Sequence, residues 1–192
     1  LSWKDLAPDY VLVSHGHYDH MLDTAYFLRE KKATLICNFE IGNWFLQQGD
    51  FLVHKMNIGA KLNLPFGQLR MTAAYHSSTL PDGSSGGSAG GFIVRNESCN
   101  FYFAGDTGLG PYLDYIGEHW APKVVFLPIS GKVVLDAEDA YLASKALKCD
   151  EVIGMHHNAF EELKIDEQAA KEIFQKGNKT LTLLLAGETK TY

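Results

Sequence analysis

Cysteine is scarce in this sequence. Cys37, Cys99 and Cys149 are far apart, odd in number and form no CxxC pair. That argues against a disulfide scaffold and a thiolate metal site, and for a reducing, cytoplasmic compartment. Long apolar runs are missing too. The longest, residues 10–13 and 124–129, fall far short of the roughly 20 residues that span a bilayer, so stable membrane insertion is not expected. Positive charge is in deficit: 17 Lys and Arg stand against 23 Asp and Glu, for a net charge of −6. The longest basic run is Lys31-Lys32, beside Glu30. No footprint for nucleic acid follows from such a distribution. No leader peptide is recognisable. The Gly131-Lys132 pair lacks the GxxxxGK[ST] frame of a phosphate loop. Two sequons, at Asn96 and Asn178, read as chance matches without a secretory context.

What is present is globular. The chain has 192 residues, 46% of them hydrophobic and 21% charged. These values fit one folded domain over residues 1–192 and exclude intrinsic disorder. The first residue is Leu1 rather than Met, and a core-like strand begins by Tyr10, which suggests a piece of a longer polypeptide. Strands and helices alternate, so an α/β class is expected. Strands are read at 10–14, 34–37, 51–55, 61–64, 69–75, 91–95, 100–104, 124–128, 151–155 and 180–186. Helices are read at 21–31, 41–48 (stopping at Gly49), 137–148 (capped by Asp136) and from a cap at Asp166 to about 176. Residues 82–91 (DGSSGGSAGG) read as a flexible hairpin loop, or as a mobile flap after His76. Trp44, Phe45 and Phe51 read as core rather than pocket wall.

One stretch carries chemistry: His15-Gly16-His17-Tyr18-Asp19-His20, directly after the first strand. Three imidazoles and a carboxylate within six residues cannot share one helix face or one strand face. A tight loop can aim them together, and Gly16 gives it backbone freedom. An HxHxDH string arises by chance in on the order of one in 10,000 chains of this length. Comparable strand ends deliver more donors: His76 after 69–75, Asp106 after 100–104 and His156 after 151–155. Imidazole and carboxylate suit Zn²⁺, and also Fe²⁺ or Mn²⁺. Seven candidate ligands exceed the four of one tetrahedral ion, which points to two metals sharing a carboxylate. His54 and His119 fit no pattern and read as surface histidines.

The run SHGHYDH, the lone His76, AGDTG at 104–108 and MHHN at 155–158 together resemble the metallo-β-lactamase superfamily. Asp19-His20-Met21-Leu22-Asp23 and the LPISG run at 127–131 are similar to its small metal-dependent hydrolases, related to ascorbate-6-phosphate lactonase and N-acyl-phosphatidylethanolamine phospholipase D. The resemblance implies an αββα sandwich. It implies that His15, His17 and His76 hold one metal, that Asp19, His20 and His156 hold the other, and that Asp106 bridges. His156 is preferred to His157 because it matches the family's MHxN pattern and because successive strand residues face opposite ways. The family's first sheet opens with several strands before HxHxDH. Only residues 1–8 stand there, so part of the N-terminal sheet is expected to be lacking.

The implied activity is hydrolysis of an ester, lactone or phosphodiester in a small-molecule substrate. A hydroxide shared by two divalent ions (zinc first, then manganese or iron) would attack, and Asp19 would also orient it catalytically. The alternatives are a nuclease of the same superfamily and a non-catalytic relative. A homo-oligomer is left open.

Overall fold

Successive side chains along each strand point to opposite faces, and apolar residues on both faces of the inner strands sort the chain into layers. The computed structural model describes residues 2–98 and 100–192; Leu1 and Cys99 lie outside that description. Strands β1 (Tyr10–Leu12), β2 (Thr34–Cys37) and β3 (Val53–Lys55) form a parallel sheet of three. Strands β4 (Lys61–Leu64), β5 (Gly67–Ala73), β6 (Gly90–Arg95), β7 (Asn100–Phe103), β8 (Val124–Pro128), β9 (Glu151–Met155) and β10 (Thr180–Leu183) form a second sheet in the order β10-β9-β8-β7-β6-β5-β4. Pairing is antiparallel from β4 to β7 and parallel from β7 to β10.

The helices are α1 (Tyr18–Met21), α2 (Thr24–Glu30), α3 (Phe39–Leu46), α4 (Tyr112–His119), α5 (Ala137–Ala146) and α6 (Glu167–Lys176). The parallel half of the large sheet is built by crossovers through α4, α5 and α6, which is how parallel neighbours must be joined. In β2, Leu35 and Cys37 face α2 and α3, while Ile36 faces the other sheet. In β5 and β6, Leu69, Met71, Phe92 and Val94 fill the space between the sheets. In β8, Val125 and Leu127 point outward against α5 and α6. The order is helix, sheet, sheet, helix, as expected.

Local details differ from the sequence reading in informative ways. The expected helix 21–31 is two helices, Tyr18–Met21 and Thr24–Glu30, interrupted at Leu22 and Asp23. The first turn carries Asp19 and His20, while the second buries Thr24 and Leu28. The break lets the two pieces present their side chains in different directions. Helix α4 has no counterpart in the sequence pattern: its apolar stripe is short, and Gly117 lies against the carbonyl oxygen of Ala146, where no Cβ would fit. Asp136 and Asp166 do cap their helices, accepting from Asp139 N at 2.8 Å and Ala169 N at 3.0 Å. Asn38, which the sequence reading passed over, caps α3 by accepting from Ile41 N at 2.9 Å. Phe45 is buried, and Trp44 and Phe51 pack against the same cluster; Trp44 and Phe45 also wall a small surface cavity, and Phe51 another, but none of the three lines the cavity at the metal centre.

Strand β5 runs antiparallel to β6, and β6 antiparallel to β7, so β5 points the same way as β7, β8 and β9. Their C-terminal ends therefore share one edge of the sheet. Open α/β sheets place their sites at such an edge. The two sheets are tied there: Gly90 N donates to the Ser14 carbonyl at 2.9 Å. Gly105 makes that approach tolerable. It has φ +65°, and a Cβ on it would stand 2.6 Å from the Gly90 oxygen and 2.9 Å from Ser14 Cβ.

Candidate metal centre

All seven residues singled out in the sequence meet at this edge. His15 and His17 come from the loop after β1, and Asp19 and His20 from α1. His76 lies beyond β5, Asp106 beyond β7 and His156 just beyond β9. The HxHxDH run is thus half loop and half helical turn, with His17 at the N-cap position of α1. His156 takes a left-handed backbone, φ +56°, which a non-glycine residue adopts only at a cost. That conformation stops β9 and turns the imidazole inward.

The centre of the cluster is Asp106 Oδ2. It lies 3.1 Å from His156 Nε2, 3.3 Å from His20 Nε2, 3.6 Å from His76 Nε2 and 3.9 Å from His15 Nε2. Around it, His15 Nε2 is 3.0 Å from His17 Nδ1, and Asp19 Oδ2 is 3.3 Å from His20 Nε2 and 3.6 Å from His156 Nε2. Ligand bonds of about 2.0–2.1 Å in a tetrahedral shell put donor atoms about 3.3 Å apart. The separations here scatter about that value. Among the described residues, three subsets could each hold an ion: His15 with His17 and His76; His15 with His20 and Asp106; and Asp19 with His20 and His156.

Burial makes the cluster costly without a cation. Asp106 is 3% exposed and His15 fully buried. Asp106 Oδ1 and His20 Nε2 are buried with no hydrogen-bond partner, although His20 sits within ion-pair distance of two carboxylates. Orphaned buried polar atoms are rare in native proteins and call for an explanation. A divalent ion against this donor set supplies one, so the residues fit a metal.

The electrostatics favour the ligating form at His15, His76 and Asp106 and oppose it at His20. Burial first, then the neighbouring His20, pushes His15 down to about 3, so it is held as the neutral imidazole that ligates. Burial likewise lowers His76, against a partial pull upward from Asp106. Burial alone would lower His20, but Asp106 and then Asp19 outweigh it and raise it. Burial alone would raise Asp106, but His20 and then His156 and His15 bring it below the ordinary carboxylate range.

Sequence reasoning missed the residues that aim the rings. Ser14 Oγ is 3.1 Å from His15 Nδ1, and Ser130 Oγ is 3.3 Å from His156 Nδ1. With those nitrogens protonated and donating to serine, each Nε2 lone pair is left for the centre. Ser77 Oγ stands 3.3 Å from His17 Nε2, which leaves Nδ1 facing inward. His54 and His119 are exposed and remote from the cluster. His157 is half-buried, its Nδ1 without a partner, and belongs to none of the three subsets.

A cavity of about 470 Å³ opens onto the cluster. Beyond the centre, Tyr18, Val133, Phe160 and Leu163 wall it, with Glu162 as an added acid. Tyr18, Val133 and Phe160 are 64%, 58% and 57% exposed, an unusual density of bare apolar surface.

Residues 3–157 match the family model described as the Beta-lactamase superfamily domain. A UPF0173 metal-dependent hydrolase of Christiangramia forsetii is 39% identical over 186 residues, covering 97% of this chain and 82% of the relative. One from Methylacidiphilum infernorum is 40% identical over 184 residues, covering 96% and 81%. The solved metallo hydrolase Igni18 of the archaeon Ignicoccus hospitalis superposes with a TM-score of 0.89 at 34% identity, covering 99% of this chain and 82% of that one. With this fold, this cluster and these relatives, the chain belongs to the metallo-β-lactamase superfamily and is one of its metal-dependent hydrolases.

Proposed function

We propose that the cluster holds two divalent ions, zinc before manganese or iron, and that the protein hydrolyses a small neutral ester or lactone. The observation that carries this reading is Asp106 Oδ2, within 3.9 Å of four imidazole nitrogens while Oδ1 has no partner. His15, His17 and His76 would hold one ion, Asp19, His20 and His156 the other, and Asp106 both. Bound there, the ions supply a water acidified toward neutral pH and Lewis-acid stabilisation of a developing oxyanion.

The chain's own residues do the rest. Asp19 lines the cavity with its Oδ2 beside His20 and His156, which leaves Oδ1 to take a proton from the attacking water. Tyr18, Val133 and Phe160 receive the apolar part of the substrate and displace water from the reacting bond. No Lys or Arg lines the cavity, and Glu162 adds negative charge. Beyond the ions themselves, the cavity therefore offers a phosphodiester no further cation, and Glu162 opposes its charge, which favours the ester or lactone. The free thiols of Cys37 and Cys149 support a reducing, cytoplasmic setting. No helix among the described residues is long and apolar enough to cross a membrane.

The test is a matched panel of neutral aryl esters, lactones and phosphodiesters with the zinc-loaded protein and its Asp106→Asn and Val133→Lys variants. The expected result is turnover of ester or lactone, lost in Asp106→Asn, with Val133→Lys shifting preference toward the phosphodiester. Preference of the wild type for phosphodiesters overturns the substrate assignment. Full activity in Asp106→Asn overturns the centre itself.

A further inference from the structure

A second cavity, of about 140 Å³, lies behind the large sheet and under α4. Its floor is the outward face of β5, with Arg70 and Thr72; Tyr112, Tyr115, Ile116 and Trp120 close it from above. It shares no lining residue with the metal-centre cavity.

The polar atoms here are left incomplete. Arg70 Nε and Thr72 Oγ1 are buried without a hydrogen-bond partner, and so is Tyr102 Oη. Tyr102 stands in the same cross-strand row as Arg70, through Ile93. Thr72 and Tyr102 are close enough to influence each other, but no hydrogen-bond geometry joins them. Arg70 has neither an ion pair nor a hydrogen bond among the described residues, and no acid lines the cavity. Its guanidinium carbon sits 4.6 Å over the Trp120 ring. Stacking fixes the plane of the fork and leaves its edge donors free. An unpaired cationic donor is expensive to bury, and a planar guanidinium is matched by a planar carboxylate.

We propose that this cavity is a binding site for a small monocarboxylate. The carboxylate lies in the plane of the Arg70 fork and accepts from Nε and from the Thr72 hydroxyl. The short apolar tail lies against Ile58, Tyr115 and Ile116. At about 30 Å³ for each water-sized group, the volume holds only four or five such groups, the size of acetate or propionate.

Propionate is the probe, titrated calorimetrically into the metal-loaded protein at constant ionic strength, with propionamide as the neutral control. Arg70→Met, Arg70→Lys, Thr72→Val and the metal-centre variant His17→Ala are compared. The expected result is saturable binding that persists in His17→Ala and weakens at least about tenfold in Arg70→Met. Thr72→Val weakens it several-fold, and propionamide binds far more weakly. Arg70→Lys, which keeps the charge without the fork, falls between, and it decides the matter if Arg70→Met does not fold. No saturable heat, binding unchanged in both Arg70 variants, or binding that disappears in His17→Ala overturns the proposal. The last of these places the carboxylate on the metal centre instead.

Discussion

Asn38 holds Gly86 in place from across the fold. The Asn38 side chain donates to the Gly86 carbonyl at 2.6 Å and to the Ser88 carbonyl at 3.0 Å, while its own oxygen caps α3. The glycine-rich run 82–91 is therefore pinned in this structure, not a free flap. Trp44 Nε1 adds a bond to Asp82 at 2.7 Å. The run is tied to the metal centre as well. Gly86 lies against Gly16, and Gly16 N donates to Ser78 Oγ at 3.0 Å.

Replacing Asn38 by Ala removes a cap, strands the buried Gly86 carbonyl and frees the part-buried Ser88 carbonyl. The expected loss is about 2–3 kcal/mol of unfolding free energy. Urea denaturation measures it, and limited proteolysis should show new cleavage within 82–91. A variant within about 0.5 kcal/mol of wild type would remove Asn38 from its anchoring role.

Metal content tests the reading of Asp106 as the shared ligand. Elemental analysis of wild type should give about two divalent ions per chain. His17→Ala should lose mainly one, while Asp106→Ala should lose both, because in the proposed assignment Asp106 alone serves both ions. Chelation should abolish hydrolysis, and added zinc should restore it. Equal loss in the two variants would contradict the bridging assignment.

The site was legible because its donors carry a rare local string and recur at strand ends, which the β/α alternation makes visible. His15, His17, Asp19, His20, His76, Asp106 and His156 are brought together as the strand edge requires. The supporting hydroxyls were not legible. Ser14 and Ser130 are common residues whose partners, one adjacent and one 26 positions away, follow no spacing rule. The break at Leu22–Asp23 was hidden because Met21, Ala25 and Leu28 keep helical periodicity across it. Helix α4 was hidden by its length: eight residues with a glycine give too little pattern. The anchoring of 82–91 depends on Asn38, more than forty residues away, and composition alone suggested motion.

Removing either supporting hydroxyl should loosen the metal without unfolding the chain. Ser130→Ala frees the His156 ring, and Ser14→Ala frees that of His15. Each should weaken metal affinity by about 10–100-fold, the usual cost of losing a group that orients a ligand. Competition with a zinc-chelating dye measures this. Secondary structure by circular dichroism should stay unchanged. Unaltered affinity in both variants would mean that packing alone orients the rings.

The two buried thiols give a prediction with a definite sign in pH. Burial pushes the Cys37 thiol up to about 12, from an ordinary value near 9, outweighing the opposing pull of Lys55. Burial also raises Cys149. Alkylation needs both a thiolate and access. At about pH 8 the folded protein should leave Cys37 and Cys149 unlabelled by iodoacetamide, with both labelled once denatured. Peptide-resolved mass spectrometry separates them from Cys99. Between about pH 9 and 12 the unfolded chain has lost the Cys37 proton while the folded chain retains it. Unfolding then releases a proton, so stability falls as pH rises through that window. Cys37→Ala should flatten this alkaline decline in a pH series of urea melts. An identical decline in wild type and variant would assign the alkaline loss to other groups.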